Sequence, residues 1–249
     1  MEGFAERGWR RVVDPAIGAW AHAARGQAVR AMALPRDDWR CGETWCVGLD
    51  ALDNAPDGSV AGVALPWGVL GLDPVPLHRG QVSVVRPGYP QPWDGETEAG
   101  FRFRRDRDAA HLDGLLPVGP QKRRMVQEPH GWILGIPLNS SGVGASPLVV
   151  WEGSHRVMRA GLAGVLRGDP AGWAEVDVTE AYQAARRQVF ETCRRVELPG
   201  APGEAVVLHR LMIHGVAPWA AGAMAEEPGR MVAYFRPLLP SVEAWLTLP

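Results

Sequence analysis

Cysteine is scarce in this chain of 249 residues, which contains only Cys41, Cys46 and Cys193. The number is odd and there is no C-x-x-C motif, so the chain does not have the cysteine pattern of a disulfide-rich scaffold. A disulfide between Cys41 and Cys46 is conceivable, but reduced thiols are the simpler interpretation. We therefore predict a cytoplasmic protein.

The chain also lacks a long apolar run and an excess of one charge. Its longest weakly polar stretch, VAGVALPWGVLGL at 60–72, is too short and too interrupted by Pro and Gly to span a bilayer, so we expect no membrane partner. The first residues, MEGFAERGWRR, have no apolar core, and we expect no secretory signal. With 26 basic and 28 acidic residues the net charge is −2, which gives no overall footprint for nucleic acid.

Hydrophobic residues make up 46% of the chain, and 30 Gly and 22 Pro residues indicate many turns. A β-barrel or jelly roll of this length can be one domain, so we predict a single domain over 1–249. Within it, apolar residues at helical spacing predict an N-terminal helical flank over 1–35, with a break at Asp14 and a second helix from Pro15.

After Pro35, short apolar runs alternate with turn residues, which is typical of strands. The alternation of Phe and Arg in GFRFRR at 100–105 indicates a strand that leads to His111, and a helical pattern returns at about 170–195. Many short strands with helices mostly at the periphery predict a mainly β fold with flanking helices, built as a double-sheet β fold.

The most informative motif is His-x-Asp at His111 and Asp113, in AAHLDGLLP. Alternate residues of a β-strand point to the same side, so both side chains can bind one ion. His214 follows about a hundred residues later, near the end of an apolar run and before a turn at Gly215. Two histidines and one carboxylate form the facial triad of non-haem Fe(II) oxygenases, which leaves coordination positions open.

The order of motifs resembles the phytanoyl-CoA dioxygenase family of Fe(II)/2-oxoglutarate-dependent oxygenases. The similarity covers roughly 80–240 and consists of the His-x-Asp motif, SPLVVWEGSHR at 146–156, GEAVVLHRLMIHGVAPW at 203–219, and an arginine that opens RMVAYFRP. The second segment is similar to the family's PGSH segment, with Glu152 in place of Pro. The resemblance implies a double-stranded β-helix (a cupin-like jelly roll) with its core at about 80–240.

The resemblance also implies Fe(II), 2-oxoglutarate as cosubstrate and O2, and hydroxylation of a small or medium organic substrate with release of succinate and CO2. A guanidinium group would bind the remote carboxylate of 2-oxoglutarate. Arg230 is our first candidate, although it lies farther beyond His214 than is common in the family; Arg236, on the same face of an ideal strand, is second, and Arg210 is third. Related halogenases have a small residue in place of Asp113, so this carboxylate favours hydroxylation.

The polar segment at 114–129 follows the two ligands and has the composition of a loop, which we predict to close over the substrate. Arg123 and Arg124 within it, and Trp132 after it, are candidate substrate residues.

The main alternative function is a non-catalytic metal-binding jelly roll, which would not need a carboxylate-binding arginine. A metal-free module and a metal-assisted hydrolase are further alternatives.

Overall fold

The computed structural model describes residues 3–249 and consists of antiparallel sheets with helices on their outer sides. The helices are α1 (Phe4–Arg7), α2 (Pro15–Ala33), α3 (Trp67–Leu70), α4 (Glu98–Asp106), α5 (Ser154–Ala163), α6 (Thr179–Thr192) and α7 (Val242–Thr247), with a 3-10 helix at Pro170–Glu175. The strands are β1 (Trp9–Val13), β2 (Trp39–Arg40), β3 (Trp45–Cys46), β4 (Gln81–Val85), β5 (Leu115–Val118), β6 (Arg123–Val126), β7 (Trp132–Pro137), β8 (Leu148–Trp151), β9 (Arg195–Leu198), β10 (Glu204–His209), β11 (His214–Val216) and β12 (Arg230–Phe235).

Ten of these strands form a larger and a smaller sheet. The larger sheet has the order β1-β10-β7-β12-β4-β3-β2, and the smaller has the order β11-β8-β9. Most strands that are adjacent in the sheets are not consecutive along the chain. All of these strand pairs are antiparallel. The prediction of a mainly β fold with flanking helices is confirmed, and this double-sheet arrangement is that of a jelly roll.

Alternation along the strands separates two faces of the larger sheet. In β12, Met231, Ala233 and Phe235 pack with α2, whereas Tyr234 packs with residues of β7, β8 and β10 between the two sheets. The residues at even positions of β12 therefore face the interior between the sheets, because neighbouring side chains of a strand point to opposite sides. The outer side of the smaller sheet packs against α5 and α6.

Helix α2 covers the outer side of the larger sheet for reasons that are readable in its sequence. The Asp14 side chain accepts a hydrogen bond from the Ala16 amide, and Pro15 occupies the first turn, where its missing N–H is not needed. Ile17 and Trp20 are fully buried against the sheet. Burial of two such side chains contributes about 1.5–3 kcal/mol each to folding.

Two of the predicted elements are wrong. Residues Trp9–Val13, which we expected within a helical flank, form an edge strand that pairs with β10. Trp9, Val12 and Val13 favour strands, and the open edge of β10 supplies the ladder hydrogen bonds. The Phe-Arg alternation at 100–105 belongs to α4 and not to a strand. This helix begins where the Thr97 side chain accepts a hydrogen bond from the Gly100 amide.

The segment at 114–129 is a β-hairpin and not an irregular loop, since β5 and β6 pair over Leu115–Val126 and Val118–Arg123. Gly114 closes the base of this hairpin. Its φ is +89°, and its carbonyl accepts hydrogen bonds from the amides of Gln127 and Glu128. Whether this hairpin closes over a substrate stays a prediction. Of the helices in residues 3–249, none has both the length and the apolar character that a membrane crossing needs.

Candidate metal centre

His111 and His214 face each other as a backbone pair at the edge of the smaller sheet. The His111 amide donates to the His214 carbonyl at 2.9 Å, and the His214 amide donates to the His111 carbonyl at 3.1 Å. Through this antiparallel bridge, His111 pairs with the first residue of β11. The centroids of the two imidazole rings are 4.6 Å apart. Two residues that are distant in sequence are therefore adjacent in the fold.

Asp113 completes a three-residue cluster with these histidines. Its Oδ1 lies 3.2 Å from His111 Nε2, and its Oδ2 lies 3.8 Å from His214 Nε2. One ligand atom from each residue lies within 4.8 Å of the other two, a separation that one ion can bridge. Asp113 is in a turn and not in a strand, but the step from His111 over the buried Leu112 still places both side chains on one side.

Backbone carbonyls fix the orientation of both imidazoles. His111 Nδ1 lies 2.9 Å from the Ala109 carbonyl oxygen, and His214 Nδ1 lies 3.0 Å from the Met212 carbonyl oxygen. A carbonyl can only accept, so each Nδ1 carries a proton, and Nε2 is the ring nitrogen that faces the cluster. Such outer partners are typical of metal-binding histidines.

Burial and neighbouring charges act differently on the three members of the cluster: burial would lower the pKa of His111, but the hydrogen bond to Asp113 and the Asp113 charge raise it. Burial lowers the pKa of His214 to about 4, against the opposing effect of Asp113, so this ring is neutral at pH 7. Burial alone would raise the pKa of Asp113, but His214, the hydrogen bond from His111 and the charge of Arg236 outweigh it and hold that pKa well below its usual range. The cluster therefore offers a carboxylate and a neutral imidazole at neutral pH.

Arg236 belongs to the immediate surroundings of the cluster. Its Nη1 donates to Asp113 Oδ2 at 3.1 Å, and its Nη2 donates to Gln81 Oε1 at 2.5 Å. The guanidinium group thus binds Oδ2 of the carboxylate, whereas His111 lies beside Oδ1. A cavity of about 90 Å³ borders this group and all three members of the cluster, and its other walls include Gln81, Ser83, Leu148 and Tyr234.

Arg230 lies deeper between the sheets, at the start of β12. It is 7% exposed, its Nη1 has no hydrogen-bond partner, and it forms no ion pair with any carboxylate of residues 3–249. Asn139 fixes the backbone on both sides of it, since its Oδ1 accepts from the Met231 amide and its Nδ2 donates to the Gly229 carbonyl. The pocket that Arg230 lines shares Leu148 and Tyr234 with the cavity beside the cluster. A buried cation without a counter-charge is costly, so this position favours a bound anion.

A second and larger cavity, of about 700 Å³, opens on the other side of the cluster. It borders His111, Asp113 and Arg236, and it is also lined by Arg124 on β6, Phe103 on α4 and Arg186 on α6. The side chain of His111 is 50% exposed, whereas those of Asp113 and His214 are about 10% exposed, so the cluster is accessible mainly from the side of His111.

The three candidate substrate residues are separated in the structure. Arg124 lines the large cavity, but Arg123 donates to Asp177 at 2.5 Å and lies 3.4 Å from Glu180, away from the cluster. Trp132 packs edge-on against Trp67 on the outer side of the larger sheet and does not border either cavity beside the cluster. The structure therefore brings only Arg124 of these three to the site.

Arg210, the third candidate for 2-oxoglutarate, does not share a face with His214. The chain turns at 209–212, where the Met212 amide donates to the His209 carbonyl, so strand alternation does not continue from Arg210 to His214. The guanidinium group of Arg210 instead donates to the carbonyls of Trp245, Leu248 and Pro249.

We missed Arg186 and Phe103 when we considered the sequence alone. Tyr182 and Arg186 have the spacing of one helical turn, but only the fold shows that this turn of α6 faces the His-x-Asp segment.

Gly215 allows the segment that contains His214 to lie close to the segment that leads to His111. A Cβ atom at this position would lie far inside the contact distance of the Asp108 carbonyl oxygen, and that carbonyl accepts from the Val216 amide at 2.9 Å. We expect Gly215→Ala to push the segments apart, to lower the free energy of unfolding by about 1–3 kcal/mol, and to weaken Mn(II) binding. Denaturant unfolding and Mn(II) titration measure both effects.

Gly68→Ala is the matched control, because nothing lies within 4 Å of a Cβ built at that helical position. We expect this control to leave Mn(II) binding unchanged. Equal Mn(II) affinity in Gly215→Ala and the wild type would contradict the close approach described above.

Among known proteins, similarity to this chain was found only with solved structures. No family model matches the sequence, and no curated protein matches it. Similar structures include AviO1 from Streptomyces viridochromogenes Tue57, at 17% identity over 96% of this chain and 95% of that chain, with a TM-score of 0.48. They also include SnoK, described as a non-heme alpha ketoglutarate dependent carbocyclase from nogalamycin biosynthesis, at 15% identity over 97% and 86% of the two chains, with a TM-score of 0.49. EctD from S. alaskensis, solved with 2-oxoglutarate and 5-hydroxyectoine, is 14% identical over 94% and 73% of the chains, with a TM-score of 0.44. These similarities do not assign a function to the present chain.

Proposed function

We propose that this protein is an Fe(II)/2-oxoglutarate-dependent dioxygenase of the phytanoyl-CoA dioxygenase-like kind, which hydroxylates a small or medium organic substrate. The observation that carries the proposal is the presence, in one interior, of a His-Asp-His cluster that is open on one side and a buried arginine that has no counter-charge. The first feature fits a metal ion with free coordination positions, and the second fits a carboxylate.

The donor set fits Fe(II). His111 and His214 offer imidazole nitrogens, and Asp113 offers a carboxylate oxygen, which together form a 2-His-1-carboxylate set. None of the three cysteines belongs to the cluster, so the soft thiolate ligands that favour Cu(I) or Fe–S clusters are not part of it.

The surroundings of the cluster also fit 2-oxoglutarate. Its remote carboxylate would be bound by Arg230, whose planar guanidinium group matches a carboxylate and whose buried Nη1 lacks a partner. Bound together, Fe(II) and 2-oxoglutarate would supply oxidation of a substrate C–H bond by O2, with succinate and CO2 as by-products. Arg236 is the less suitable clamp, because its donors are already engaged by Asp113 and Gln81.

The remaining roles fall to residues of this chain. The carbonyls of Ala109 and Met212 hold the two imidazoles with Nε2 toward the cluster, and Arg236 orients the Asp113 carboxylate. Leu148 and Tyr234 form part of the wall of the inner cavity. The substrate would enter from the large cavity beside His111, which is the accessible side.

Succinate formation without an added substrate tests this proposal. We expect the purified chain of 249 residues, supplied with Fe(II), ascorbate, 2-oxoglutarate and air, to produce succinate slowly, and we expect EDTA to stop the reaction. Succinate is measured by chromatography against a sample that contains no protein. A screen of metabolites for faster 2-oxoglutarate consumption then identifies the substrate.

The same experiment distinguishes the alternative of a non-catalytic metal-binding jelly roll. Such a protein would bind Fe(II) or Mn(II) at the cluster but would produce no more succinate than the sample without protein. That result, with metal binding intact, would show that the dioxygenase proposal is wrong.

A further inference from the structure

The large cavity beside the metal cluster has more positive than negative side chains in its wall. Two of its cations are neutralised, since Arg104 donates to Glu96 at 2.5 Å and Arg236 donates to Asp113 at 3.1 Å. The positively charged side chains in the wall are Arg104, Lys122, Arg124, Arg186 and Arg236, and the carboxylates are Glu96, Asp113 and Glu128. Apart from these two ion pairs, the wall contains the cations Arg124, Arg186 and Lys122 and the single carboxylate Glu128.

Arg186 is held in place without a carboxylate partner among residues 3–249. Its guanidinium group lies 4.6 Å from the ring centroid of Phe103 and 5.0 Å from that of Tyr182. Its hydrogen bonds are long, at 3.4 Å to the Ala110 carbonyl and 3.3 Å to the Tyr182 hydroxyl. The aromatic rings therefore fix the plane of the guanidinium group and leave most of its donors free for a ligand.

Arg124 reaches the same cavity from the hairpin. Its Nη1 donates to the Leu115 carbonyl at 3.1 Å, and the side chain forms no ion pair with a carboxylate of the described residues. The Arg124 backbone is tied to the start of α6, because its amide donates to the Thr179 hydroxyl at 2.7 Å and its carbonyl accepts from the Val178 amide at 2.9 Å. Arg124 and Arg186 thus belong to elements that are hydrogen-bonded to each other.

We infer that the substrate of this protein carries an anionic oxygen group, a carboxylate or a phosphate, which Arg186 and Arg124 bind while the rest of the molecule extends to the metal cluster. The inference rests on the proposed function for the identity of the cluster, but the anion site is defined by other residues. Guanidinium groups bind both types of anion through two parallel hydrogen bonds. Phe103 and Leu116, which also line the cavity, provide apolar surface for the body of such a substrate.

The test uses three probes of similar shape and different charge. Calorimetric titration of the metal-free chain of 249 residues compares 2-naphthoate, 2-naphthyl phosphate and the neutral 2-naphthamide. We expect at least one of the two anions to bind about tenfold or more tightly than the amide, which corresponds to one charge-assisted hydrogen bond. The stronger of the two anions indicates whether the natural group is a carboxylate or a phosphate.

Variants then locate the anion. We expect Arg186→Gln and Arg124→Gln each to weaken the preferred anion by about tenfold or more, and to leave 2-naphthamide unaffected. Arg186→Lys keeps the charge but not the planar fork and should retain part of the preference. Arg187→Gln is the matched control, because Arg187 is the next residue of α6 and is exposed.

Four results would overturn the inference: equal affinity for the anions and the amide, no binding of any probe at millimolar concentration, unchanged anion binding in Arg186→Gln, or a loss in Arg230→Gln instead. The titration needs neither iron nor 2-oxoglutarate, so it is independent of succinate formation. Anion binding without succinate formation would leave this site in place and contradict the proposed function, and the opposite result would contradict only the anion site.

Discussion

Replacing His214 with alanine is expected to abolish Fe(II)-dependent succinate formation and to weaken Fe(II) binding by more than about 100-fold. Loss of an outer partner of a metal ligand already costs about 10–100-fold, so loss of a ligand should cost more. The remaining His111 and Asp113 provide only two of the three donor atoms that the fold brings together. Anaerobic Fe(II) titration and succinate assays measure the two effects.

His22→Ala is the matched control for this variant, because His22 is exposed on α2 and is distant from the cluster in the fold. We expect it to bind Fe(II) like the wild type. His214→Ala must also keep the far-ultraviolet circular dichroism spectrum of the wild type. A folded His214→Ala protein that still forms succinate at the wild-type rate would exclude His214 as a ligand.

Replacing Arg230 with glutamine is expected to raise the Michaelis constant for 2-oxoglutarate by about 30-fold or more, since truncation of one partner of a buried charge pair costs about 2–5 kcal/mol. The same change should not destabilise the protein without ligand, because it removes a buried charge that has no partner within the described residues. Steady-state kinetics and thermal unfolding, measured on the same samples, separate the two effects.

Two other arginine variants show whether this assignment is correct. Arg123→Gln removes a cation that pairs with Asp177 and lies away from the cluster, so it should leave the Michaelis constant unchanged. Arg236→Gln removes the partner of Asp113 and should lower turnover more than it raises the Michaelis constant for 2-oxoglutarate. If Arg236→Gln shows the large rise and Arg230→Gln does not, the order of our two candidates is wrong.

The meeting of His111, Asp113 and His214 was predictable because two short stretches of sequence mark these residues. The step from His111 to Asp113 puts two donors on one side of an extended segment, and His214 is marked by its position at the end of an apolar run. The sequence does not contain the reason that they meet, which is the backbone bridge between His111 and His214 and the close approach that Gly215 allows.

The errors in the predicted elements have different physical causes. The segment at 9–13 contains Trp9, Val12 and Val13, which favour strands, and it becomes a strand because β10 offers it a free edge. The alternation at 100–105 fits a strand by period, but the cap at Thr97 starts a helix, in which Phe103 turns to Phe190 and Arg186. The free edge of β10 is a tertiary feature that a single sequence does not show, whereas the Thr97 cap is local and outweighs the strand-like period.

The basic segment at 121–124 shows how strand alternation divides neighbouring residues. Arg123 and Arg124 are adjacent in β6, so they point to opposite sides, and only Arg124 lines the cavity beside the cluster. The prediction that both arginines contact the substrate treated the two as equivalent. Arg186, which the structure adds to Arg124, comes from a helix about sixty residues farther along the chain, a separation that has no signal in the sequence.

A crystal structure of the protein grown without oxygen, in the presence of Fe(II) and 2-oxoglutarate, tests the central claim most directly. We predict one ion bonded to His111 Nε2, His214 Nε2 and the Asp113 carboxylate, with 2-oxoglutarate on the same ion and its remote carboxylate against Arg230. An ion bound elsewhere, or a 2-oxoglutarate molecule that contacts neither the ion nor Arg230, would contradict the claim.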